Sequence, residues 1–256
     1  YAIIVSPPVL FLHYQLVSSM YIILNNGVKG LICAIELAKQ GSKVTLIDER
    51  QEIGTPVHRP GLIRTKEVIK WLINFEFPLQ LNLFSFSNNI DNWYGLRMEW
   101  FEKSLATIAS SLGVEIILKT QITSLDEVDG KEYVCISNPS INNKSKIFGQ
   151  MIDCTMNDDF SSISPIVKIS KWYGGIANGH DMPFEWQKNG WKDEKLMIPR
   201  KDGTIECWTP NEKQFVEPNS GWLEIMTNDL PMFPYTSLDY SISSGINLAA
   251  EIHNNI

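Results

Sequence analysis

The chain has 256 residues, 44% of them hydrophobic and 20% charged, the balance of an ordinary globular protein with one large domain or a core domain plus a smaller insert. Its formal net charge of -7 and pI near 5.2, with no run of Lys and Arg, exclude electrostatic attraction to a nucleic-acid backbone. Cys33, Cys135, Cys154 and Cys207 form no Cys-x-x-Cys pair, and the four histidines form no ligand pattern. No metal site is indicated, and free thiols in a reducing cytoplasm are expected.

Residues 1–24 are apolar, but Pro7, Pro8, His13 and Gln15 interrupt the run, and no basic leading region or small-residue cleavage site is present. Met20 stands immediately before the first strand. Residues 1–19 are therefore expected to be an upstream extension outside the fold, with an anchor or an extra strand as the competing reading.

Residues 21–24 read as a short buried strand that ends in the turn Asn25-Asn26-Gly27. Residues 30–40 read as a helix with Leu31, Ala34, Ile35 and Ala38 on one face, stopped by Gly41. Residues 43–48 are a second buried strand, which completes a right-handed βαβ unit. From 54 to 93 the pattern is weak. A helix over 98–112 carries the stripe Met98, Phe101, Leu105, Ile108 and Leu112. Strands follow at 114–118, 122–125 and 131–137, with Asp129-Gly130 as a hairpin signal, and one more at 146–154. Residues 160–225 hold Trp172, Trp186, Trp191, Trp208 and Trp222 and read as mostly β. Residues 238–253 return to helix, with Thr236 or Ser237 as its cap.

The turn carries the chemistry. In a Gly-x-Gly-x-x-Gly turn the first glycine permits the tight bend, the second lets backbone N–H groups reach a pyrophosphate, and the third lets helix and strand pack closely. The corresponding residues here are Asn25, Gly27 and Gly30, with Asn as the residue that best tolerates a left-handed backbone after Gly. Asp48, 21 residues after Gly27, ends the second strand, where a carboxylate can accept hydrogen bonds from an adenosine ribose. The bland alternative is a βαβ unit that binds nothing, with Gly27 and Gly30 as packing glycines.

On these residues the chain resembles the FAD-dependent oxidoreductases of the geranylgeranyl reductase, lycopene cyclase and aromatic-ring monooxygenase type. Stretch 27–58 carries the resemblance: the turn, a helix with Glu36-Leu37-Ala38 and Gly41, and a strand ending in an acidic and then a basic residue. Residues 53–57 resemble the reductase branch in particular. Residues 96–116 resemble the family's Arg-led helix and the strand after it. Asp153-Cys154 falls where the family reads acidic-then-Gly, Asn228-Asp229 where it reads Gly-Asp, and 234–251 resembles its closing segment.

The resemblance implies an α/β fold: a Rossmann-like FAD-binding domain with a smaller, mostly β substrate segment. The expected division is an FAD-binding core over 20–159 with a small β insertion near 121–150, a substrate segment over 160–225, and a return to the core over 226–256. It implies FAD held by Asn25, Gly27, Gly30, Asp48, Glu49, Arg50, Arg59, Arg97 and Asp229. Arg97 would reach the phosphate or ribityl region and Asp229 the ribityl chain. Arg50 and Arg97 read equally as surface charges, Asp229 as a loop residue, and Arg59 as solvated. The tryptophans read as core or as the wall of an apolar pocket.

The expected function is an FAD-dependent oxidoreductase acting on a small apolar organic molecule. The reductase branch suggests an isoprenoid, handled in the cytoplasm or at a membrane surface without spanning it. Two other functions stay open: a non-catalytic nucleotide-binding or interaction protein of the same fold, and an NAD-dependent dehydrogenase. No catalytic acid or base stands out, and the oligomeric state is not legible.

Overall fold

The computed structural model describes residues 20–25, 27–64, 66–74, 82–85, 92–128, 131–138, 141–155, 168–183, 186, 195–200, 202–232 and 235–254. The expected extension 1–19, the Asp129-Gly130 turn, Trp191 and the start of the closing segment at Pro234 lie outside the described residues.

Strands β1 (Met20–Asn25) and β2 (Lys43–Asp48) flank helix α1 (Val28–Lys39). They pair in parallel, so Asn25 stands directly beside Asp48. Strand alternation puts Tyr21, Ile23 and Asn25 on one face with Val44, Leu46 and Asp48, and Ile22 and Ile47 on the other. The first face packs under α1 in the main core, and the second packs on Val134 and Ile136. Both faces are therefore covered, which is why the two strands read as continuous apolar runs.

The weak stretch 54–93 contains a strand β3 (Leu62–Ile63), a helix α2 (Lys66–Asn74), and strands β4 (Asn82–Ser85) and β5 (Asn92–Gly95). Strands β3 and β4 both pair with β5 in a small antiparallel sheet. Elements of two to nine residues are too short to show a period, and for that reason they escape a sequence reading. Helix α2 docks on α1 through Trp71 Nε1, which donates to Glu36 Oε1 at 2.9 Å.

Helix α3 (Met98–Ser111) buries Met98, Phe101 and Leu105 of the predicted stripe, while Ile108 is half-buried and Leu112, just past the helix, is exposed; β6 (Glu115–Ile117) adds to the parallel sheet beside β2. Strands β7 (Gln121–Val128), β8 (Lys131–Asn138) and β9 (Ile141–Phe148) form an antiparallel meander on the far face of that sheet. The single strand expected over 146–154 is two strands. At Gly149 (φ +155°) the chain leaves the meander, and β10 (Gln150–Asp153) joins the parallel sheet beside β1. A Cβ at 149 would lie 2.6 Å from the Met20 carbonyl oxygen, so only glycine lets the chain change sheets here. The parallel sheet then runs β10-β1-β2-β6.

The mostly β segment is an antiparallel sheet in the order β12-β13-β11-β14, from β11 (Ile169–Asn178), β12 (Leu196–Pro199), β13 (Thr204–Thr209) and β14 (Glu224–Pro231). Strand β14 crosses the division expected at 225/226. It pairs with β11 from Glu224 opposite Ile176 to Pro231 opposite Ile169, and Met226 and Leu230 face the core. The return to the first unit comes instead with helix α4 (Leu238–Asn254).

One core joins the two units: Trp172, Ile176, Leu196, Ile198, Trp208 and Met226 belong to the same buried cluster as the residues of α1 and α3. Trp172, Trp186 and Trp208 are fully buried. Gly174 makes this packing possible, because a Cβ there would sit 2.7 Å from the Trp208 ring. On the opposite face Phe215 and Trp222 stack at 4.6 Å, with Trp186 edge-on to both.

Helix α4 lies tightly on α1. A Cβ at Gly245 would meet the Lys29 carbonyl oxygen at 2.7 Å and Ile32 Cβ at 2.8 Å. Gly245→Val must push the helices apart and is expected to cost about 1–3 kcal/mol. The reading is a lower urea midpoint at unchanged m-value, and an unaltered midpoint would show that this approach is not tightly packed.

Candidate functional site

Asn25 and Asp48 end neighbouring strands on the same face, and the turn grows out of that pairing. Asn25 is 3% exposed and Asp48 is 1% exposed. Asn25 Nδ2 donates to Asp48 Oδ2 at 2.6 Å, and Asn25 Oδ1 accepts from Gly27 N at 3.3 Å. Asn25 is the last strand residue and does not adopt a positive φ, so the left-handed role expected of it is corrected. What the position requires is room. Its side chain fills the crook of the turn and presses on Gly30, where a Cβ would collide with Asn25 Oδ1. The left-handed residue is Gly27, with φ +137° and ψ -150°. Among the described residues no side chain caps the first turn of α1, and none in that turn is acidic.

Arg50 closes the site from the strand side. Its backbone N–H and Nε donate to Asp48 Oδ1 at 2.9 and 3.0 Å, and its Nη2 donates to Oδ2 at 2.8 Å. With Asn25, these bonds take up the lone pairs of the Asp48 carboxylate. Arg50 Nη1 donates to Glu102 Oε2 at 2.8 Å. Burial works against the Arg50 charge, but the bonds and charges of Asp48 and Glu102 outweigh it and hold the guanidinium protonated. Arg50 is thus no surface charge.

Two residues here were missed in the sequence. Glu102 is fully buried on α3. It sits four residues after Met98 and three before Leu105, so a carboxylate on the apolar stripe was the available signal. His58 was passed over as an isolated histidine. Its Nε2 lies 3.4 Å from Glu102 Oε1 and 2.9 Å from where a Cβ on Gly27 would stand. Its carbonyl accepts from Asn228 Nδ2 on β14 at 2.8 Å. The result is a polar chain from the turn, through Asp48, Arg50, Glu102 and His58, to the antiparallel sheet.

The other expected residues lie elsewhere. Glu49 is exposed. Arg59 is buried rather than solvated, with Nη1 donating to Ser241 Oγ on α4. Arg97 is bound by Glu99, to which its Nε donates at 2.7 Å, and by Asp202 at 2.8 Å. Those bonds tie the start of α3 to the β12–β13 hairpin. Behind them, buried Arg200 donates to Glu206 Oε2 at 2.6 Å, and Glu206 Oε1 accepts from Trp208 Nε1 at 2.6 Å. Burial pushes the Glu206 carboxyl upward, against the pull of Arg200. Asp229 lies exposed within β14, opposite Lys171, rather than in a loop. Among the described residues no three His, Cys, Asp or Glu side chains group as metal ligands, and no helix is long and apolar enough to cross a membrane.

The backbone of this site fits a dinucleotide: a left-handed glycine, a free-standing helix N-terminus, a close-packing glycine at 30 and an acid at the strand end. Thr236, 1% exposed just before α4, has a hydroxyl with no hydrogen-bond partner among the described residues. It stands at a second helix N-terminus, that of α4.

No family model matches the chain. It is 26% identical over 174 residues to digeranylgeranylglycerophospholipid reductase 2 of Methanosphaera stadtmanae, covering 61% of this chain and 42% of that protein. It is 28% identical over 145 residues to the digeranylgeranylglycerophospholipid reductase of Methanococcus aeolicus, covering 48% and 35%. The chain therefore spans less than half the length of these curated relatives. A geranylgeranyl bacteriochlorophyll reductase-like protein from Thermoplasma acidophilum superposes with a TM-score of 0.62 at 14% identity, over 93% of this chain and 79% of its own. A flavoprotein/dehydrogenase from Cytophaga hutchinsonii gives 0.64 at 12% identity, over 92% and 79%. The fold is that of the flavoprotein oxidoreductases, with an α/β Rossmann-like unit as expected. In sequence the chain is related to the digeranylgeranylglycerophospholipid reductases, which bears out the resemblance drawn from residues 27–58.

Burial, with Arg59 and Arg50 nearby, holds the His58 imidazole down to about 4 against its ordinary 6.5, although Glu102 pulls the other way. As pH falls through this window the unfolded chain takes up the proton first, so stability is full above about 6.5 and is lost toward 4. His58→Gln is expected to flatten the unfolding free energy between those values. An unchanged slope in urea titrations across that range would assign the dependence to another group.

Proposed function

We propose that the chain is an FAD-dependent oxidoreductase acting on an apolar organic substrate, with an isoprenoid favoured by its likeness to the digeranylgeranylglycerophospholipid reductases. The observation that carries this reading is the turn: Gly27 at positive φ before an uncapped α1, beside a buried acid at the end of β2. FAD, when bound, supplies the electron transfer.

The chain's own residues do the rest. The first-turn amides of α1 hold the pyrophosphate, Gly27 lets it approach the backbone, and Gly30 lets α1 pack closely on the turn. The N-terminus of α4, with Thr236 and Ser237, directs its positive end to the ring system and favours negative charge there. The core face of the antiparallel sheet, with Trp172 and Trp208, supplies an apolar wall that excludes water. A prenyl-lipid substrate would bring the protein to a membrane surface as a peripheral visitor.

A second reading, a nucleotide-binding protein without redox activity, is favoured by one observation. Asn25 already occupies the Gly27 amide, and Asp48 already has its full set of donors. Purified chain mixed with FAD and passed through gel filtration separates the two. Retention of the two-banded flavin absorption, bleached anaerobically by NADH, NADPH or dithionite, is expected. A colourless protein that cannot be reconstituted would overturn the flavoenzyme reading.

Asn25→Gly is a sharper probe. It frees the Gly27 amide while removing two buried hydrogen bonds, so FAD should bind more tightly while stability falls by about 1–3 kcal/mol. Weaker FAD binding in this variant would instead place Asn25 among the ligands.

A further inference from the structure

We infer that His58 is the cation that meets the phosphates of a bound dinucleotide, and that binding brings one proton onto its imidazole; this rests on the nucleotide reading above. The geometry at Gly27 carries it. A pyrophosphate at the N-terminus of α1 would lie against Gly27, and the side chain that fills the space beside this glycine is His58, with Nε2 2.9 Å from where a Cβ would stand and Glu102 Oε1 behind it at 3.6 Å.

The arginines expected to hold the cofactor are committed to other partners. Arg50 is held between Asp48 and Glu102, Arg97 between Glu99 and Asp202, and Arg59 Nη1 lies on Ser241 of α4.

Glu102 supplies the second observation. It is fully buried, and its Oε1 makes no hydrogen bond among the described residues, yet it lies 3.4 Å from His58 Nε2. A buried carboxylate oxygen without a donor is costly, and a proton on Nε2 would satisfy it.

The charges around the imidazole explain why it waits for the ligand. Glu102 faces it from α3, Asp48 and Arg50 stand behind at the end of β2, Arg59 follows it in the loop, and Lys29 lies in the first turn of α1. Asn228 Nδ2, from β14, is neutral and binds the His58 carbonyl. Without ligand, burial and the two arginines keep the ring neutral. Asp48 and Glu102 are thus matched by Arg50, Arg59 and Lys29 while the ring is neutral. A pyrophosphate adds negative charge beside the ring, and the imidazolium becomes the favoured form.

Calorimetry on the full chain tests this with FAD and with ADP-ribose. ADP-ribose carries a pyrophosphate diester without the terminal-phosphate ionisation that titrates near 6. Binding is measured at one pH in two buffers of different ionisation enthalpy, and again from pH 6 to 8. Uptake approaching one proton per chain is expected, with affinity rising by up to about tenfold per pH unit lowered. His58→Gln should abolish the uptake, flatten the pH profile, and weaken binding at pH 6 by about tenfold.

Binding of both ligands without proton uptake would overturn this inference and leave the nucleotide reading standing. Failure of both to bind would overturn the two together. Uptake that persists in His58→Gln would assign the proton to another group. The buffer-pair measurement needs only the unaltered chain, so missing uptake overturns the inference even if the variant does not fold.

Discussion

The guanidinium of Arg50 holds the half of the molecule built on the parallel sheet in one arrangement. It lies between Asp48 at the end of β2 and Glu102 on α3, two carboxylates that the fold takes out of water. Neither carboxylate could stay there alone, since removing one partner of a buried pair typically costs about 3–5 kcal/mol. The bridge therefore fixes how α3 sits against the parallel sheet. Through Asp48 it also sets Asn25, and through Asn25 the path of the turn into α1.

This explains how the turn keeps its path with Asn25 where a Gly-x-Gly-x-x-Gly turn has its first glycine. In the usual arrangement that position is empty of side chain and the acid at the strand end is open to a ligand. Here Asn25 occupies the crook and returns two hydrogen bonds, one to the turn and one to the acid. The substitution keeps the backbone path and makes it more self-sufficient. In the proposed nucleotide site it would leave recognition to the helix amides and the loop that carries His58 rather than to Asp48.

Two further contacts join the halves of the molecule. On one side Arg97, Glu99, Arg200 and Glu206 tie the start of α3 to the β12–β13 hairpin. On the other, Asn228 holds the His58 carbonyl. The departures from the family pattern at positions 25 and 228 thus become connections: one inside the turn, the other between the turn's loop and the second sheet. Apolar packing through Trp172 and Trp208 makes the junction continuous with the main core.

The sequence by itself determined the βαβ unit, the stripe of α3, the mostly β segment and the last helix. Each is long enough for its period to show, or is bounded by glycines such as Gly41 and Gly113. It also located the turn, because Gly27, Gly30 and Asp48 are related by spacing along a strand, a helix and a strand.

Only the tertiary structure decided what the charged side chains do. Arg50, Arg59 and Arg97 look alike as residues, and their roles depend on partners 52, 182 and 105 positions away in the chain. The same holds for His58 and Glu102, which meet only because α3 packs over the turn. Strand β14 and the break at Gly149 were likewise settled by pairing with distant strands, a choice that local pattern does not encode.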